Sequence, residues 1–422
     1  MFINKNFNKK IFNTSSKEGH IIEKVPYVGQ ENSIFCSYAC QTMIFKYYGL
    51  SLELDDFLFN SGVGYSLSYA KDYIKYFPMG GTFLSQWPTD RKFVADLYGL
   101  KFETWIPTDT SCSIYNTWNV YWKKVKDYLK NDVPVSTGVD LVYLPATRDL
   151  LGYNLWINTK KIPNFAWKLF PTAHEIVLVG FDEEKKEVYY NDPVALAMGK
   201  KEKGIYASAP IDVFARSVAN AKIGNFNPKF IISTYKKNKS SLSDDIIFEE
   251  SHNRNIQKLK GNLLSYDEQW QRYPLGIDVL NEIIKDFEII SYKENNDLLS
   301  TYRYQSFIDA LHKKFFLFIT KKSSPLNKNN PSLNCYDMIS LEKKHTYDYI
   351  KNKNINLKGL DDEMVLFDQE FKKWATISKF YSGFYKEFIL STKKDRLNKI
   401  NENLITNISH IIDIEKKIIN IN

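Results

Sequence analysis

Two cysteines lie one helical turn apart in the stretch GQENSIFCSYACQTMIFKYYGL, residues 29–50. Asn32 and Ser33 are good helix caps, so Cys36 is expected in the first turn of the helix that follows. At that position the helix dipole and the free backbone amides favour the thiolate, which is the reactive form of cysteine. Cys40 comes one turn later and is better suited to packing. If one of the two is a nucleophile, the sequence favours Cys36.

A histidine and an aspartate further along the chain strengthen that hypothesis, because an isolated cysteine is more often a buried apolar side chain. His174 opens the strand pattern HEIVLVG, and Asp192 lies in NDP at the end of the next strand pattern. The charged turn EEKK between the two patterns predicts a hairpin that brings the carboxylate to the imidazole. Asn191 is the alternative partner of His174, because a register shift of one residue exchanges the two. The ordinary interpretations are a strand-end histidine and an Asp-Pro turn.

These residue types together are those of a thiol acyl-transfer site. The cysteine attacks a carbonyl carbon, the histidine moves the protons, and the carboxylate orients the imidazole and stabilises its charged form. Gln30, shortly before Cys36, offers a side-chain amide as a donor to an oxyanion. Asp140, in the strand pattern PVSTGVDLVYL, and Asn191 are candidate substrate contacts. The sequence assigns no role to the remaining histidines, which are His20, His252, His312, His345 and His410.

Composition and charge exclude several classes of protein. The 422 residues are 44% hydrophobic and 25% charged, as in ordinary soluble proteins. The 57 basic residues are interleaved with 49 acidic ones, so the net charge of +8 predicts a mixed-charge surface and no nucleic-acid partner. The cysteines are unevenly spaced and the histidines do not cluster, which favours free thiols and argues against a metal site. With no signal-peptide pattern and no membrane-length apolar run, we expect a cytoplasmic protein and no membrane partner.

The patterns along the chain predict an α+β domain followed by an all-α helical domain. Helix and strand patterns alternate in the first half, the next stretch is polar, and four long amphipathic patterns follow, at 277–290, 298–319, 362–390 and 396–418. Long amphipathic helices are also compatible with a homodimer. The predicted parts are an N-terminal extension, a catalytic domain, a linker and a helical bundle, at residues 1–19, 20–235, 236–262 and 263–422.

The motif residues resemble the C39 family of papain-fold cysteine peptidases. Q-x5-C-x3-C-x2-M-I-x-K-Y-Y-G is similar to the catalytic segment of that family, and HEIVLVGFD…VYYNDP is similar to its histidine and aspartate segment. The resemblance implies a papain-like fold with an antiparallel sheet. It also implies that Gln30 is the oxyanion donor and that Cys36, His174 and Asp192 are catalytic. C39 peptidases usually have Asp before and Gly after the nucleophile, whereas this chain has Phe35 and Ser37.

A closer resemblance is to the N-terminal domain of the butirosin biosynthesis protein H family. PVSTGVDLVYLP, residues 134–145, is similar to the strand that precedes the histidine in that family. This resemblance implies transfer of an acyl group from an acyl carrier protein thioester to a small-molecule amine in antibiotic biosynthesis. It implies no cofactor of the enzyme itself, because the partner protein carries the phosphopantetheine.

The first functional hypothesis is therefore a cysteine-dependent acyltransferase that forms an amide. The aromatic stretch YNLWINTKKIPNFAWKLFP, residues 153–171, is a candidate to shield the acyl-enzyme from water, although ordinary loop packing explains it equally well. A cysteine peptidase or amidase would use the same residues and differs only in that water, in place of an amine, accepts the acyl group. A non-catalytic binding module on the same fold is the third hypothesis.

Overall fold

The structure is a computed structural model, and it describes most of the chain. The described residues are 18–30, 35–70, 77–80, 88–107, 114–145, 173–197, 200–221, 229–262, 274–292, 335–353, 359–390 and 394–421. Several sequence features lie outside the described residues, namely Asn32, Ser33, the aromatic stretch 153–171 and the helical pattern 298–319 with His312.

The described residues form a mixed set of strands and helices. In chain order the elements are β1 (Gly19–Ile21), α1 (Cys36–Tyr47), α2 (Leu54–Asn60), β2 (Leu67–Ala70), β3 (Phe77–Gly80), α3 (Pro88–Leu97), β4 (Leu100–Trp105), α4 (Ile114–Lys130), β5 (Val135–Asp140), β6 (Ala173–Asp182), β7 (Glu187–Asn191), α5 (Val194–Ala197), β8 (Ala207–Pro210), α6 (Ile211–Asn220), β9 (Ile232–Lys237), α7 (Asp244–Leu259), α8 (Ile277–Tyr292), α9 (Cys335–Lys353), α10 (Leu360–Leu390) and α11 (Lys394–Ile421).

The chain divides into two compact units whose boundaries differ from the predicted ones. The first unit contains the described residues of 1–54 and 98–241, and the second contains those of 55–97, 242–318 and 330–422. Residues 55–97 were predicted to belong to the catalytic domain 20–235. They belong to the second unit because their aromatic residues pack into its core. That core includes Phe59, Tyr65, Phe248, Leu259, Phe367 and Ile414.

The predicted linker, residues 236–262, contains the helix α7. Four of its eight buried residues are polar, and three of these, His252, Asn255 and Lys258, bond to partners inside the unit. Asn255 Nδ2 donates to the Phe59 carbonyl at 2.8 Å, and His252 Nε2 lies 2.8 Å from Glu363 Oε2. The polar composition of this segment predicted a linker. The segment instead forms a partly buried helix, because several of its polar groups bond to protein partners in place of water.

An antiparallel sheet is the centre of the first unit. Its strand order is β4-β9-β5-β6-β7-β8, and β1 also pairs with β6. The predicted hairpin is confirmed, since β6 and β7 pair antiparallel with Val177 opposite Asn191. A bulge between Leu178 and Gly180 shifts the register within this pair. On the other side of β6, His174 lies opposite Val139 of β5.

Helix α1 begins at Cys36 and ends where the sequence predicts. Gly49 follows it with φ +83°, a left-handed conformation that glycine adopts without steric cost. Most of the helix is buried, including Cys40, whose Sγ donates to the Glu175 carbonyl of β6 at 3.2 Å. The helix is thus fixed to the strand that carries His174.

In the part of the second unit that the structure describes, the regular elements are helices apart from the antiparallel pair β2–β3. Helices α8, α10 and α11 cover the patterns predicted at 277–290, 362–390 and 396–418. The predicted fold class is confirmed, with an antiparallel sheet in an α+β arrangement and a helical C-terminal region. No helix among the described residues has the length and apolar character needed to cross a membrane.

Candidate active site

Cys36 is the first residue of α1 and is half-buried. Phe35 occupies the N-cap position and makes no side-chain cap hydrogen bond. The positive end of the helix dipole therefore lies at the Cys36 side chain, where it stabilises a negative charge on sulfur. Cys36 is also close enough to His174 to influence the pKa of the imidazole. The structure thus brings together the cysteine and the histidine that the sequence singled out.

Asp192 lies on the other side of the same imidazole. His174 Nε2 and Asp192 Oδ1 are 2.7 Å apart, and the side chains of these two residues are 3% and 1% exposed. Because Asp192 occupies Nε2, Nδ1 is the ring nitrogen left for Cys36. The order thiol, imidazole, carboxylate is the one that a nucleophile, a base and an orienting group require.

The charge on His174 follows from these neighbours. Burial alone would lower the pKa of the imidazole. The negative charges of Asp192 and of the Cys36 thiolate, together with the hydrogen bonds to both residues, outweigh burial and raise the pKa of His174 to about 10. At neutral pH the imidazole is therefore protonated.

Asp192 is held in the turn between β7 and α5. Its Oδ1 also accepts the Val194 backbone N–H at 3.1 Å, and its own N–H donates to the Gly204 carbonyl at 2.8 Å. The carboxylate therefore serves as a local cap for α5 as well as the partner of His174. The Asp-Pro turn that the sequence offers as the ordinary interpretation exists, and its aspartate also contacts the imidazole.

Gln30 is buried and lies beside the Asp192 turn. Its backbone N–H donates to the Pro193 carbonyl at 3.0 Å. This contact brings the residue predicted as the oxyanion donor to the turn that carries Asp192.

Asn191 and Asp140 lie next to the site, but neither is the partner of the His174 imidazole. Asn191 is fully buried, and its side chain donates to the Val25 carbonyl at 3.4 Å and accepts the Tyr206 N–H at 2.9 Å. The register of the β6–β7 pair therefore selects Asp192 over Asn191 as the partner of His174. Asp140 pairs with Ala173 in the sheet, and its carbonyl accepts the Ser217 hydroxyl at 2.7 Å.

A polar network beneath α1 was not predicted from the sequence. Gln41 Nε2 donates to Glu175 Oε1 at 2.6 Å and to Ser136 Oγ at 3.2 Å, and the Ser136 hydroxyl also donates to Glu175. It joins the helix of Cys36 to the strand of His174. Its sequence signal is weak, because a polar residue inside an apolar helix pattern does not reveal its partner.

The other described histidines make pairs away from Cys36. His20 contacts Asp132 at 2.8 Å, His345 contacts Asp55 at 3.5 Å, and His410 contacts Lys373. Within the ranges that the structure describes, no group of three or more His, Cys, Asp or Glu residues is arranged to hold a metal ion.

Comparison with known proteins agrees with this geometry. No curated protein matches the chain. Residues 22–218 match the sequence model of the Peptidase_C39 like family, and the matched range contains Cys36, His174 and Asp192. The match supports a C39-like papain fold, a fold of cysteine-dependent enzymes, for this part of the chain.

Proposed function

We propose that this chain is a cysteine-dependent acyl-transfer enzyme. Cys36 is the nucleophile, His174 is the acid and base, Asp192 orients the imidazole, and Gln30 donates to the oxyanion. The observation that carries the proposal is the buried His174–Asp192 pair at 2.7 Å, beside a cysteine at the start of a helix. A cysteine that served only for packing would need neither His174 nor Asp192 beside it.

The first half of the reaction forms an acyl-enzyme. The Cys36 thiolate attacks the carbonyl carbon of the donor, and the negative charge moves to the carbonyl oxygen. The Gln30 side-chain amide and the N-terminal backbone amides of α1 stabilise that oxyanion. When the intermediate collapses, the bond to the leaving group breaks and the imidazolium of His174 gives its proton to that group. The neutral imidazole remains beside an acyl-Cys36.

The second half transfers the acyl group to an acceptor. We propose a thioester on an acyl carrier protein as the donor and a small-molecule amine as the acceptor. His174 removes the proton of the attacking amine, the new C–N bond forms, and the Cys36 thiolate leaves. Exchange of one thioester for another is nearly balanced in free energy, so amide formation draws the sequence of steps forward. The likeness of residues 134–145 to the butirosin protein H family supports this choice of donor and acceptor.

A cysteine peptidase or amidase is the second candidate. The matched family model is described as peptidase-like and supports this alternative. The donor would then be an amide, and water would replace the amine in the second half of the reaction. Cys36, His174 and Asp192 would keep the same roles, so the site residues alone do not distinguish the two reactions.

The fate of the acyl group separates the two candidates. The purified chain is incubated with a panel of acyl-pantetheine thioesters and with peptide amides, each in the presence and absence of a panel of primary amines. Mass spectrometry then quantifies amide and free acid. We expect amide to exceed free acid with thioester donors, and we expect neither product from Cys36→Ala.

Free acid from peptide amides, unaffected by added amines, would favour the peptidase. If no donor in either class is consumed and no acyl-Cys36 forms, the proposal is overturned in favour of a binding module.

A further inference from the structure

The backbone segment 22–30, which ends at Gln30, is joined by hydrogen bonds to the region around Asp192. Near its start, the Tyr206 hydroxyl accepts the Val25 N–H at 3.0 Å and donates to the Ile22 carbonyl at 2.9 Å. Asn191 holds both Val25 and Tyr206 through its side-chain amide. These two hydrogen bonds explain why a polar residue, Asn191, is buried at the end of β7.

The Tyr27 hydroxyl holds the Asp192 turn at two points. It donates to the Asp192 carbonyl at 2.9 Å and accepts the Leu196 N–H at 3.3 Å. Burial, together with the negative charge of Asp192, raises the pKa of Tyr27, so the hydroxyl keeps its proton and remains a donor. Both contacts lie on the turn that carries Asp192, the residue that orients His174.

The same segment places Gln30 against the turn. The Gln30 N–H donates to the Pro193 carbonyl at 3.0 Å, and Gly29 lies so close to Leu196 that a Cβ on it would be 2.3 Å from that side chain. Tyr27 and Gln30 therefore contact the same short turn.

Gly204 also borders the Asp192 turn, beside the Tyr27 hydroxyl. Its carbonyl accepts the Asp192 N–H at 2.8 Å. A Cβ at Gly204 would lie 2.4 Å from the Asp192 carbonyl oxygen and 3.0 Å from the Tyr27 hydroxyl. The backbone of the Asp192 turn therefore has little space to move.

We propose that Tyr27 is a positioning residue that couples the two ends of the active site through the Asp192 turn. One hydroxyl sets the orientation of the Asp192–His174 pair and, through the turn, the position of Gln30. This inference rests on the proposed function and adds a residue outside the Gln30, Cys36, His174 and Asp192 set. Loss of the hydroxyl alters the ionisation of the Cys36–His174 pair, and it alters kcat more than KM.

The test uses Tyr27→Phe and a matched control, Tyr47→Phe, in the full chain. The Tyr47 hydroxyl donates to the Asp132 carbonyl at 2.9 Å, the same kind of bond at the same distance, but at the other end of α1. The rate of carbamidomethylation of Cys36 by iodoacetamide is measured by mass spectrometry between pH 5 and 9. For Tyr27→Phe we expect a loss of about three- to tenfold at pH 6.5, the size of one hydrogen bond, and a shift of the profile to higher pH.

Tyr47→Phe is expected to keep the wild-type profile. Identical profiles for the two variants would overturn the positioning role while leaving the proposed function intact. If wild-type Cys36 itself reacts no faster at pH 6.5 than an unfolded control, the proposed function fails instead.

A second variant covers the case in which Tyr27→Phe does not fold. Gly204→Ala places a methyl group against the Asp192 carbonyl, beside the Tyr27 hydroxyl, and so displaces the turn without removing that hydroxyl. We expect the same shift of the carbamidomethylation profile and a reduced kcat for acyl transfer with little change in KM. A wild-type profile for Gly204→Ala would contradict the coupling.

Discussion

His174 keeps a proton at neutral pH because two acidic neighbours outweigh its burial. Asp192, whose Oδ1 is 2.7 Å from Nε2, raises the pKa of His174 more than Cys36 does. Removing one partner leaves the other charge buried without compensation, which makes the site sensitive to each member.

Asp192→Ala is expected to lower the reactivity of Cys36. Without the carboxylate, burial dominates and the pKa of His174 falls, so the imidazolium that stabilises the thiolate is depleted. We expect carbamidomethylation of Cys36 at pH 6.5 to slow by about tenfold or more, since one pKa unit is a factor of ten in the ionised population.

The matched control is Asp132→Ala, which removes the carboxylate from an exposed His–Asp pair of similar length. His20 and Asp132 are 2.8 Å apart, and the Asp132 side chain is 65% exposed. This variant is expected to leave Cys36 reactivity unchanged. Equal rates for wild type and Asp192→Ala would show that the carboxylate does not control the charge on His174.

At the scale of elements, the position of Cys36 depends on how α1 is fixed to β5 and β6. Gln41 is the central residue of that contact, because its amide donates to both Glu175 and Ser136. The Gln41 side chain is buried, so its hydrogen bonds have no competition from water.

Gln41→Leu is expected to destabilise the first unit by about 1–3 kcal/mol, because the buried Glu175 contact loses its amide donor. Thr42→Val is the control in the same helix, since the Thr42 hydroxyl bonds only within α1, to the Tyr38 carbonyl at 2.8 Å, among the bonds described. Urea unfolding followed by circular dichroism measures both. A smaller loss for Gln41→Leu than for Thr42→Val would contradict this role.

The helices of the second unit enclose a buried ionic cluster. Lys343 of α9 lies 2.6 Å from Glu370 of α10 and 3.1 Å from Glu415 of α11. Burial, reinforced by the charge of Glu370 and opposed by that of Lys343, raises the pKa of Glu415 from 4.5 to about 8. At neutral pH this carboxyl is therefore protonated.

The sign of the resulting pH dependence follows from proton linkage. Between pH 4.5 and about 8 the folded chain keeps the Glu415 proton that the unfolded chain releases, so this group lowers stability as pH rises through that window. Glu415→Gln replaces the neutral acid with a neutral amide. We expect this variant to lose that contribution and to be more stable than wild type at pH 8.

Urea unfolding at pH 5, 6, 7 and 8 measures the effect, with the exposed Asp413→Asn on the same helix as control. The difference in free energy of unfolding between Glu415→Gln and wild type should grow with pH. A difference that is constant over the range would mean that Glu415 is ionised in the folded chain.

The reactive side chains were easier to predict from the sequence than the residues that position them. Cys36, His174 and Asp192 follow from helix-start, strand-end and turn patterns, which are local. Tyr27 and Gln41 were missed because their partners lie far along the chain, at Asp192 and Glu175, and no local pattern reveals such pairs. The helix α9 was missed for a related reason, since buried charges such as Lys343 interrupt its apolar spacing.

At the scale of the whole molecule, the two units do not follow the order of the chain. The segment 55–97 lies between α1 and β4 in sequence but belongs to the helical unit. Asp90 of α3 shows why this segment folds there. Its Oδ1 accepts from Lys258 at 2.6 Å and from Arg254 at 3.0 Å, and both cations come from α7. Composition predicted a boundary after residue 235. It did not predict that 55–97 belongs to the second unit, because sequence patterns do not report which distant segments pack together.

Asp90→Ala is expected to destabilise the second unit by about 3–5 kcal/mol, the usual cost of removing one partner from a buried ion pair. Burial already lowers the pKa of Lys258 to about 8, and loss of Asp90 removes the charge that opposes burial. The control is Asp96→Ala on the same helix, since the Asp96–Lys92 pair is exposed and contributes about 0–1 kcal/mol. Thermal unfolding of both variants compares them, and equal transition temperatures would contradict the assignment of 55–97 to this unit.

The most direct test of the central claim is the intact mass of the protein after incubation with acyl thioesters. Wild type, Cys36→Ala and Cys40→Ala are compared, because the two cysteines lie on one helix and only Cys36 contacts His174 among the contacts described. We predict one acyl adduct on wild type and on Cys40→Ala, none on Cys36→Ala, and faster loss of the adduct with amines than with water. An adduct that persists in Cys36→Ala, or that disappears in Cys40→Ala, would contradict Cys36 as the nucleophile.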